Sequence, residues 1–143
     1  NNVVSVLDRL ANKLGFLSSR KVEEESEKWV KELGVATKDH TLPVQTLSGG
    51  NQQKVVLARW LASEPKVLIL NGPTVGVDIG AKYDIHNLLR QLAARGMAIL
   101  VVSDDTAEVI ATCDRAIVMQ AGRVTGNLSE KDLNADTLAQ AAL

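Results

Sequence analysis

Three short apolar runs, separated by helical patterns, constrain the fold of this chain more than any other feature. They cover residues 67–70, 98–102 and 116–120. Between the first two runs, apolar residues recur at helical spacing from about Gly80 to Arg95, and a shorter helix is expected to begin near Asp105. Uninterrupted apolar strands that alternate with helices are typical of a parallel sheet covered on both faces, so we predict an α/β fold.

The residues before the first strand are predicted to be helical. One helix is expected over residues 3–17, and a charged amphipathic helix over 20–33 is expected to end at Gly34. A third helix is predicted to begin with Ser48 as its N-cap and to end before Pro65. We expect this third helix to bury Val56, Leu57, Trp60 and Leu61.

The residues after the first strand carry the other local signals. The helix from about Gly80 is expected to stop at Gly96 and to face inward with Ile85, Leu88, Leu89 and Leu92. A turn at Ala121-Gly122 is predicted to lead into an antiparallel edge strand at 123–126. Residues 129–143 are predicted to form a short helical tail capped by acidic residues.

The stretch VLILNGPTVGVD, residues 67–78, joins the first strand to the helix that follows it. Asn71-Gly72 is a strong hairpin signal only between strands of alternating polarity, and the run before it does not alternate. Ligands bind at the carboxyl ends of parallel strands, so Asn71, Gly72 and Ser103-Asp104 mark a candidate site.

Charge and hydropathy argue against two classes of function. The net charge is −1, which gives no global basic field for binding nucleic acid. No stretch approaches about 18 apolar residues, so we expect no membrane-spanning segment.

The segment LSGGNQQ, residues 47–53, is the most specific motif of the chain. Ser48 stands where a helix begins, and Gly49 and Gly50 leave the first turn without side chains. Free backbone N–H groups, a hydroxyl and the positive end of the helix dipole form a site for a phosphate. The missing Cβ atoms let that phosphate approach closely. Considered alone, the same residues fit a glycine-rich helix start without a ligand equally well.

The wider sequence resembles ATP-binding cassette (ABC) ATPases over about residues 47–126. LSGGNQQKVVLARWLASEPKVLIL is similar to that family's signature motif, signature helix and Walker B strand. Pro73-Thr74 and Gly76-Val77-Asp78 resemble the segment leading into its D-loop, and VVSDD is placed like its switch-histidine region. LSGGNQQK and GVDIGAK are most similar to the second nucleotide-binding domain of double-cassette monosaccharide importers.

The resemblance implies a partial P-loop NTPase fold, with a parallel sheet flanked by helices and a helical subdomain at the N-terminus. Residues 1–63 would form the helical subdomain, including the signature helix. Residues 64–143 would form the Walker B half of the core with a C-terminal helical tail. The signature would consist of Leu47, Ser48, Gly49, Gly50, Asn51 and Gln52, and the D-loop would contribute Asp78.

Three positions depart from the family pattern. Asn71 replaces the Asp that anchors Mg²⁺, and Gly72 replaces the Glu that acts as general base, a group worth roughly 10²–10⁴-fold in rate. Asp104 takes the place of the switch His, and its charge would repel a γ-phosphate. Both histidines, His40 and His86, lie elsewhere and are expected at the surface. The chain also contains no G-x-x-x-x-G-K-[ST] phosphate loop.

The retained and lost motifs together imply an asymmetric pair of sites. Ser48, Gly49, Gly50 and Gln52 would clamp ATP held by a partner domain, while the chain's own site is degenerate, with no intact catalytic residue. ATP and Mg²⁺ would serve the full-length complex, and no cofactor or metal is expected for this chain alone.

The resemblance also implies partners and a location. The partners would be the first nucleotide-binding domain of the same polypeptide, membrane permease subunits and, indirectly, a periplasmic or extracellular sugar-binding protein, with no nucleic acid. The location would be cytoplasmic, at the inner face of the membrane. Two alternatives stay open, a non-catalytic interaction module (a pseudo-ATPase) and a non-transport ABC ATPase.

Overall fold

The computed structural model describes residues 3–12, 15–37, 39 and 42–142, and the chain divides into two compact units. One unit contains Asn1–Lys66 and Thr74–Leu88, and the other contains Val67–Pro73 and Leu89–Leu143. The expected domain limit between residues 63 and 64 stays a prediction. None of the helices in the described residues has the length and apolar character needed to cross a bilayer.

Three helices come first in the described residues, strands and helices then alternate, and two adjacent strands precede the last helix. The helices are α1 Leu7–Leu10, α2 Ser19–Glu32, α3 Gly49–Leu61, α4 Ile79–Ala94, α5 Thr106–Thr112 and α6 Ala135–Ala141. The strands are β1 Val67–Asn71, β2 Ala98–Val102, β3 Arg115–Gln120 and β4 Arg123–Ser129. Short 3₁₀ turns occur at Val4–Val6, Val44–Thr46 and Glu130–Asp132.

The first helix is shorter than predicted. Helix α1 stops at Leu10, and residues 13 and 14 of the predicted helix lie outside the described residues. The Asn12 side chain accepts a hydrogen bond from the Phe16 N–H at 2.9 Å, and Gly15 has a φ of +80°. This local turn competes with the helix, because Asn side chains bond readily to nearby backbone.

Two glycines end helices as predicted. After α2, Gly34 has a φ of +58°, and the Val35 N–H reaches the Val30 carbonyl at 2.9 Å. After α4, Gly96 has a φ of +94°, and the Met97 N–H reaches the Leu92 carbonyl at 3.2 Å. Both ends are Schellman motifs, in which one residue adopts a left-handed conformation that glycine reaches most easily.

Helix α3 buries a different apolar row from the one predicted. Val56 is 39% exposed and Trp60 is 55% exposed, whereas Val55 and Ala58 are buried beside Leu57 and Leu61. Both rows are apolar in the sequence, so periodicity could not decide between them. Helix α4 follows its prediction, since Ile85, Leu89 and Leu92 are buried and Leu88 is half-buried.

The parallel sheet is confirmed for two strands. Strands β1 and β2 pair in parallel, with Val67 opposite Ala98 and Asn71 opposite Val102. The expectation that 116–120 would extend this sheet is wrong for the described residues, where β3 pairs antiparallel with β4. The antiparallel strand predicted after Ala121-Gly122 is confirmed, because both residues have positive φ and form a tight hairpin turn of the type that matches strand twist.

One face of each strand pair is exposed, contrary to the prediction that helices cover both faces. Residues alternate along the strands, and the exposed apolar side chains are Val67, Ile69, Leu100, Val102, Ile117, Met119 and Val124. Leu68 and Ala116 point to the opposite faces and are buried. The strands are therefore apolar on both faces, although only one face of each strand pair is buried.

The tail is helical, but its cap differs from the prediction. Asn134, and not an acidic residue, caps α6, accepting from the Thr137 N–H at 3.0 Å in a reciprocal capping box. Asn and Asp are equivalent at this position because both offer an oxygen to the orphan N–H groups.

Candidate functional site

The glycine-rich segment leads into α3, with Ser48 at the N-cap position as predicted. Its side chain nevertheless does not cap the helix, because it makes no hydrogen bond to the backbone of the first turn. The first turn of a helix has N–H groups without intrahelical partners. Ser48 and Gly49 are exposed, so this helix end presents backbone donors and a hydroxyl to the surroundings.

The Ser48 hydroxyl is held by a side chain. Asn51 Nδ2 donates to Ser48 Oγ at 2.8 Å, and Asn51 Oδ1 accepts from the Ala36 N–H at 2.8 Å. Gln52 is engaged within the motif, because its Nε2 donates to the Leu47 carbonyl at 2.8 Å. These contacts give the segment a defined conformation.

The two glycines of the motif have a packing reason as well. A Cβ on Gly50 would lie 2.3 Å from the Ala81 Cβ, and a Cβ on Gly49 would lie 3.3 Å from the Gly76 carbonyl oxygen. Gly50 is buried, so it serves the contact between α3 and the start of α4. The reason predicted from the sequence, close approach of a phosphate, stays a prediction.

Asp78 caps the next helix. Its Oδ1 accepts from the Ala81 N–H at 2.9 Å, and its carbonyl accepts from the Lys82 N–H at 2.9 Å. The residue is exposed, although its carboxylate is committed to the helix end. This cap places Asp78 on the same short segment as Ala81, which contacts Gly50.

Sequence reasoning missed a second anchor beside the motif. Lys54 Nζ donates to the Gly34 carbonyl at 3.3 Å and forms an ion pair with Asp84 at 3.0 Å, and the Lys54 side chain is only 12% exposed. Lys54 lies three residues after Asn51, which puts both side chains on one face of α3. A lysine inside a helix gives no sequence signal for such a contact.

Asn71 and Gly72 lie in the other unit, at the end of β1. Asn71 is exposed and is the last strand residue, opposite Val102. The Gly72 N–H donates a hydrogen bond to the Val102 carbonyl at 2.8 Å, which extends the pairing of β1 with β2. Gly72 has a φ of +56°. A side chain at position 72 would therefore occupy a left-handed backbone conformation.

Asp104 lies at the same sheet edge, two residues beyond β2. It is exposed, whereas Ser103 Oγ accepts from the Asp105 N–H at 3.1 Å. Asp105 caps α5 by accepting from the Ala107 N–H at 3.0 Å and the Glu108 N–H at 3.2 Å. Parallel strands thus bring Asn71 and Asp104 to one edge, as predicted.

The described residues contain no group of three or more His, Cys, Asp or Glu side chains able to hold a metal. His86 is half-buried and not at the surface as expected, and His40 lies outside the described residues. At the end of β1, Asn71 offers an amide oxygen and Gly72 offers no side chain. These residues do not fit a resident Mg²⁺ site.

Comparison with known proteins gives consistent matches. The family model described as ABC transporter matches residues 2–75. A ribose import ATP-binding protein of Streptomyces coelicolor is 46% identical over 134 residues, covering 94% of this chain and 26% of that protein. An arabinose import ATP-binding protein of Burkholderia cenocepacia is 43% identical over 128 residues, covering 90% of this chain and 25% of that protein. The chain spans about a quarter of the length of these relatives.

A solved structure shares the backbone arrangement. That structure is cbiO1 from Clostridium perfringens, part of the ABC transporter complex cbiONQ. It is 31% identical with a TM-score of 0.70, and the likeness covers 87% of this chain and 49% of that chain.

Proposed function

The chain belongs to the ABC transporter family, and from this membership we propose that it is part of the ATP-binding subunit of a monosaccharide importer. The relatives named for ribose and arabinose import support this class of cargo. Because those relatives differ in the sugar they are named for, the proposal extends to monosaccharides as a class. The partners would be the first nucleotide-binding domain of the same polypeptide and permease subunits, at the inner face of the membrane.

The proposed role of the glycine-rich segment is to complete the partner domain's ATP site. Exposed backbone donors at the start of α3 and the Ser48 hydroxyl are suited to a terminal phosphate, whose negative charge the helix dipole favours. Leu47 and Gln52 would support the segment, and Asp78 would fix the adjoining turn through its cap. ATP bound to the partner supplies the phosphoryl group, and this chain supplies hydrogen-bond donors.

The proposed role of Asn71, Gly72 and Asp104, called here the Asn71 edge, is different. Asn71 lacks the charge that would hold Mg²⁺, Gly72 has no side chain to act as a base, and Asp104 is exposed where it would repel a phosphate. We therefore propose that the chain's own site hydrolyses ATP slowly or not at all. The proposed importer would then work mainly with one hydrolytic site, to which Ser48 contributes.

The observation that carries this proposal is the state of the Ser48 hydroxyl. It occupies the N-cap position without capping the helix, and it is exposed while a neighbouring side chain holds it. A serine with a purely structural role at this position would be expected to cap the first turn, a contact worth about 1 kcal/mol.

The test is Ser48→Arg in the full-length subunit assembled with its permease. The bulky cation would block the approach to the partner's phosphate, so most of the ATPase activity should be lost. Steady-state phosphate release at saturating Mg-ATP measures it. Ser63→Arg is the matched control, because Ser63 is an exposed serine just beyond the other end of α3. Unchanged turnover in Ser48→Arg would show that the segment does not serve the working site.

A second candidate, the pseudo-ATPase module, is favoured by the residues at positions 71, 72 and 104. It predicts that this half of the protein gives no turnover under any condition, even when its lost side chains are restored. It agrees with the first proposal on the role of Ser48 and disagrees only on the Asn71 edge.

A further inference from the structure

One side chain connects the Ser48 hydroxyl to a distant backbone group. Asn51 bridges Ser48 Oγ and the Ala36 N–H, with both hydrogen bonds at 2.8 Å. These distances are those of well-formed hydrogen bonds. Ala36 lies 15 residues before Asn51, in the segment that follows α2. The bridge therefore joins the start of α3 to a different part of the chain.

The direction of both bonds is fixed by chemistry. The Ala36 N–H can only donate, so the Asn51 amide must turn its oxygen toward Ala36 and its NH₂ toward Ser48. Ser48 Oγ then accepts a hydrogen bond from Asn51, which directs the Ser48 O–H proton away from that amide. The serine is set as a donor to a further acceptor, which is the role that a phosphate oxygen requires.

The segment that sets Asn51 is itself anchored. Val35 is 7% exposed, and the neighbouring Gly34 carbonyl accepts from Lys54 Nζ at 3.3 Å. Lys54 is in turn paired with Asp84 at 3.0 Å. Two side chains one turn apart on α3, Asn51 and Lys54, thus hold the same backbone segment, but only Asn51 also contacts Ser48.

We propose that Asn51 is a positioning residue that sets the Ser48 hydroxyl as a hydrogen-bond donor to the terminal phosphate on the partner domain. This inference rests on the proposed function of Ser48. Asn51 acts through Ser48, and the hydrogen bond from the Ala36 N–H fixes the orientation of the Asn51 amide. Loss of the hydrogen bond between Ala36 and Asn51 would therefore free the amide to turn and would alter the direction in which Ser48 donates.

The experiment is a double-mutant cycle in the full-length subunit with its permease. The variants are Ser48→Ala, Asn51→Ala and both together, and the measurements are kcat and KM for Mg-ATP. We expect each single change to lower kcat about tenfold, the scale of one lost hydrogen bond to a charged group, with KM within about twofold. Because Asn51 acts through Ser48, the double variant should be no slower than Ser48→Ala.

Lys54→Ala is the matched control, since it removes the contact to the Gly34 carbonyl and leaves both hydrogen bonds of Asn51 in place. It should lower thermal stability as Asn51→Ala does, while its effect on kcat should be the same with Ser48 or Ala at position 48. A merely structural role for Asn51 predicts the same independence, so equal kcat effects of Asn51→Ala in both backgrounds would overturn the proposal.

Asn51→Asp is a second variant, which tests the proposal even if Asn51→Ala does not fold. One carboxylate oxygen still accepts from Ala36, while the other accepts the Ser48 proton and removes it from the phosphate. We expect near-normal thermal stability with kcat reduced at least tenfold, and a wild-type kcat would overturn the proposal. If Ser48→Ala itself leaves kcat unchanged, the proposed function of Ser48 fails. If Ser48→Ala lowers kcat and Asn51→Ala does not, only the positioning role fails.

Discussion

Gly50 has a structural requirement that its place in a glycine-rich motif conceals. A Cβ at this position would lie 2.3 Å from the Ala81 Cβ, far inside any tolerated contact. We predict that Gly50→Ala destabilises the packing of α3 against the start of α4 by about 1–2 kcal/mol, since overpacking exceeds the gain in helix propensity. Hydrogen exchange of the α3 amides in the full-length protein measures the loss of protection.

The compensating change is Ala81→Gly, which removes the methyl group that Gly50→Ala would meet. The double variant should regain protection relative to Gly50→Ala, because the two residues are in direct contact. Full protection in Gly50→Ala alone would mean that the helices separate at no cost. That result would leave phosphate approach as the reason for the glycine.

The degenerate edge gives a prediction that separates the two candidate functions. Gly72→Glu alone should add little turnover, because Asn71 and Asp104 remain and because a φ of +56° costs a non-glycine residue about 1–2 kcal/mol. Changing all three positions, by Asn71→Asp, Gly72→Glu and Asp104→His, should raise ATPase turnover of the full-length complex toward two active sites, given an intact phosphate loop there.

The turnover of the restored site is measured in a four-fold variant that combines the three changes with Ser48→Arg. The restored site would not use Ser48, so its turnover should persist when Ser48→Arg has silenced the other site. Steady-state phosphate release gives the rate. Zero turnover in the four-fold variant, in a subunit whose phosphate loop is present, would favour the pseudo-ATPase module.

At the scale of elements, α5 depends on one capping side chain. Asp105 accepts from the N–H groups of Ala107 and Glu108, which this seven-residue helix cannot satisfy internally. Asp105→Ala should cost about 1 kcal/mol, or roughly fivefold in local protection. Hydrogen exchange of the α5 amides in the full-length protein measures it.

The neighbouring Asp104 supplies the control for that prediction. It is an exposed carboxylate one residue away and takes no part in the cap. Asp104→Ala removes the same charge from almost the same place, so it should leave α5 protection unchanged. Equal loss in both variants would assign the effect to charge and not to capping.

At the scale of the whole molecule, the strands expose more apolar surface than an isolated chain tolerates well. Ile69 and Leu100 face each other across the parallel pair and are 67% and 54% exposed. Exposed apolar faces and open strand edges promote association. We predict that the 143-residue chain self-associates as its concentration rises, and that Ile69→Lys weakens the association.

Sedimentation velocity over a wide concentration range checks this prediction. Val75→Lys is the matched control, because Val75 is 75% exposed but lies outside the strands, in the other unit. It should leave the association of the chain unchanged. A strict monomer at all concentrations, or equal effects of the two lysines, would contradict the role given to the strand faces.

The sequence by itself determined the features that depend on local chemistry. The ends of α2 and α4 at Gly34 and Gly96 followed from glycine's access to positive φ, and β2 was predicted with its observed bounds. The start of α3 was predicted from residue types, with Ser48 at the N-cap position. Each of these signals lies within a few neighbouring residues, so no knowledge of the rest of the chain was needed.

Only the tertiary structure decided the features that depend on distant neighbours. It selected the row of Val55 and Ala58 as the buried face of α3, because the packing partners and not the periodicity choose between two apolar rows. It gave Gly50 a partner in Ala81 and Asn51 a partner in Ala36. A residue's type limits the contacts it can make, but the fold determines which group comes within reach of it.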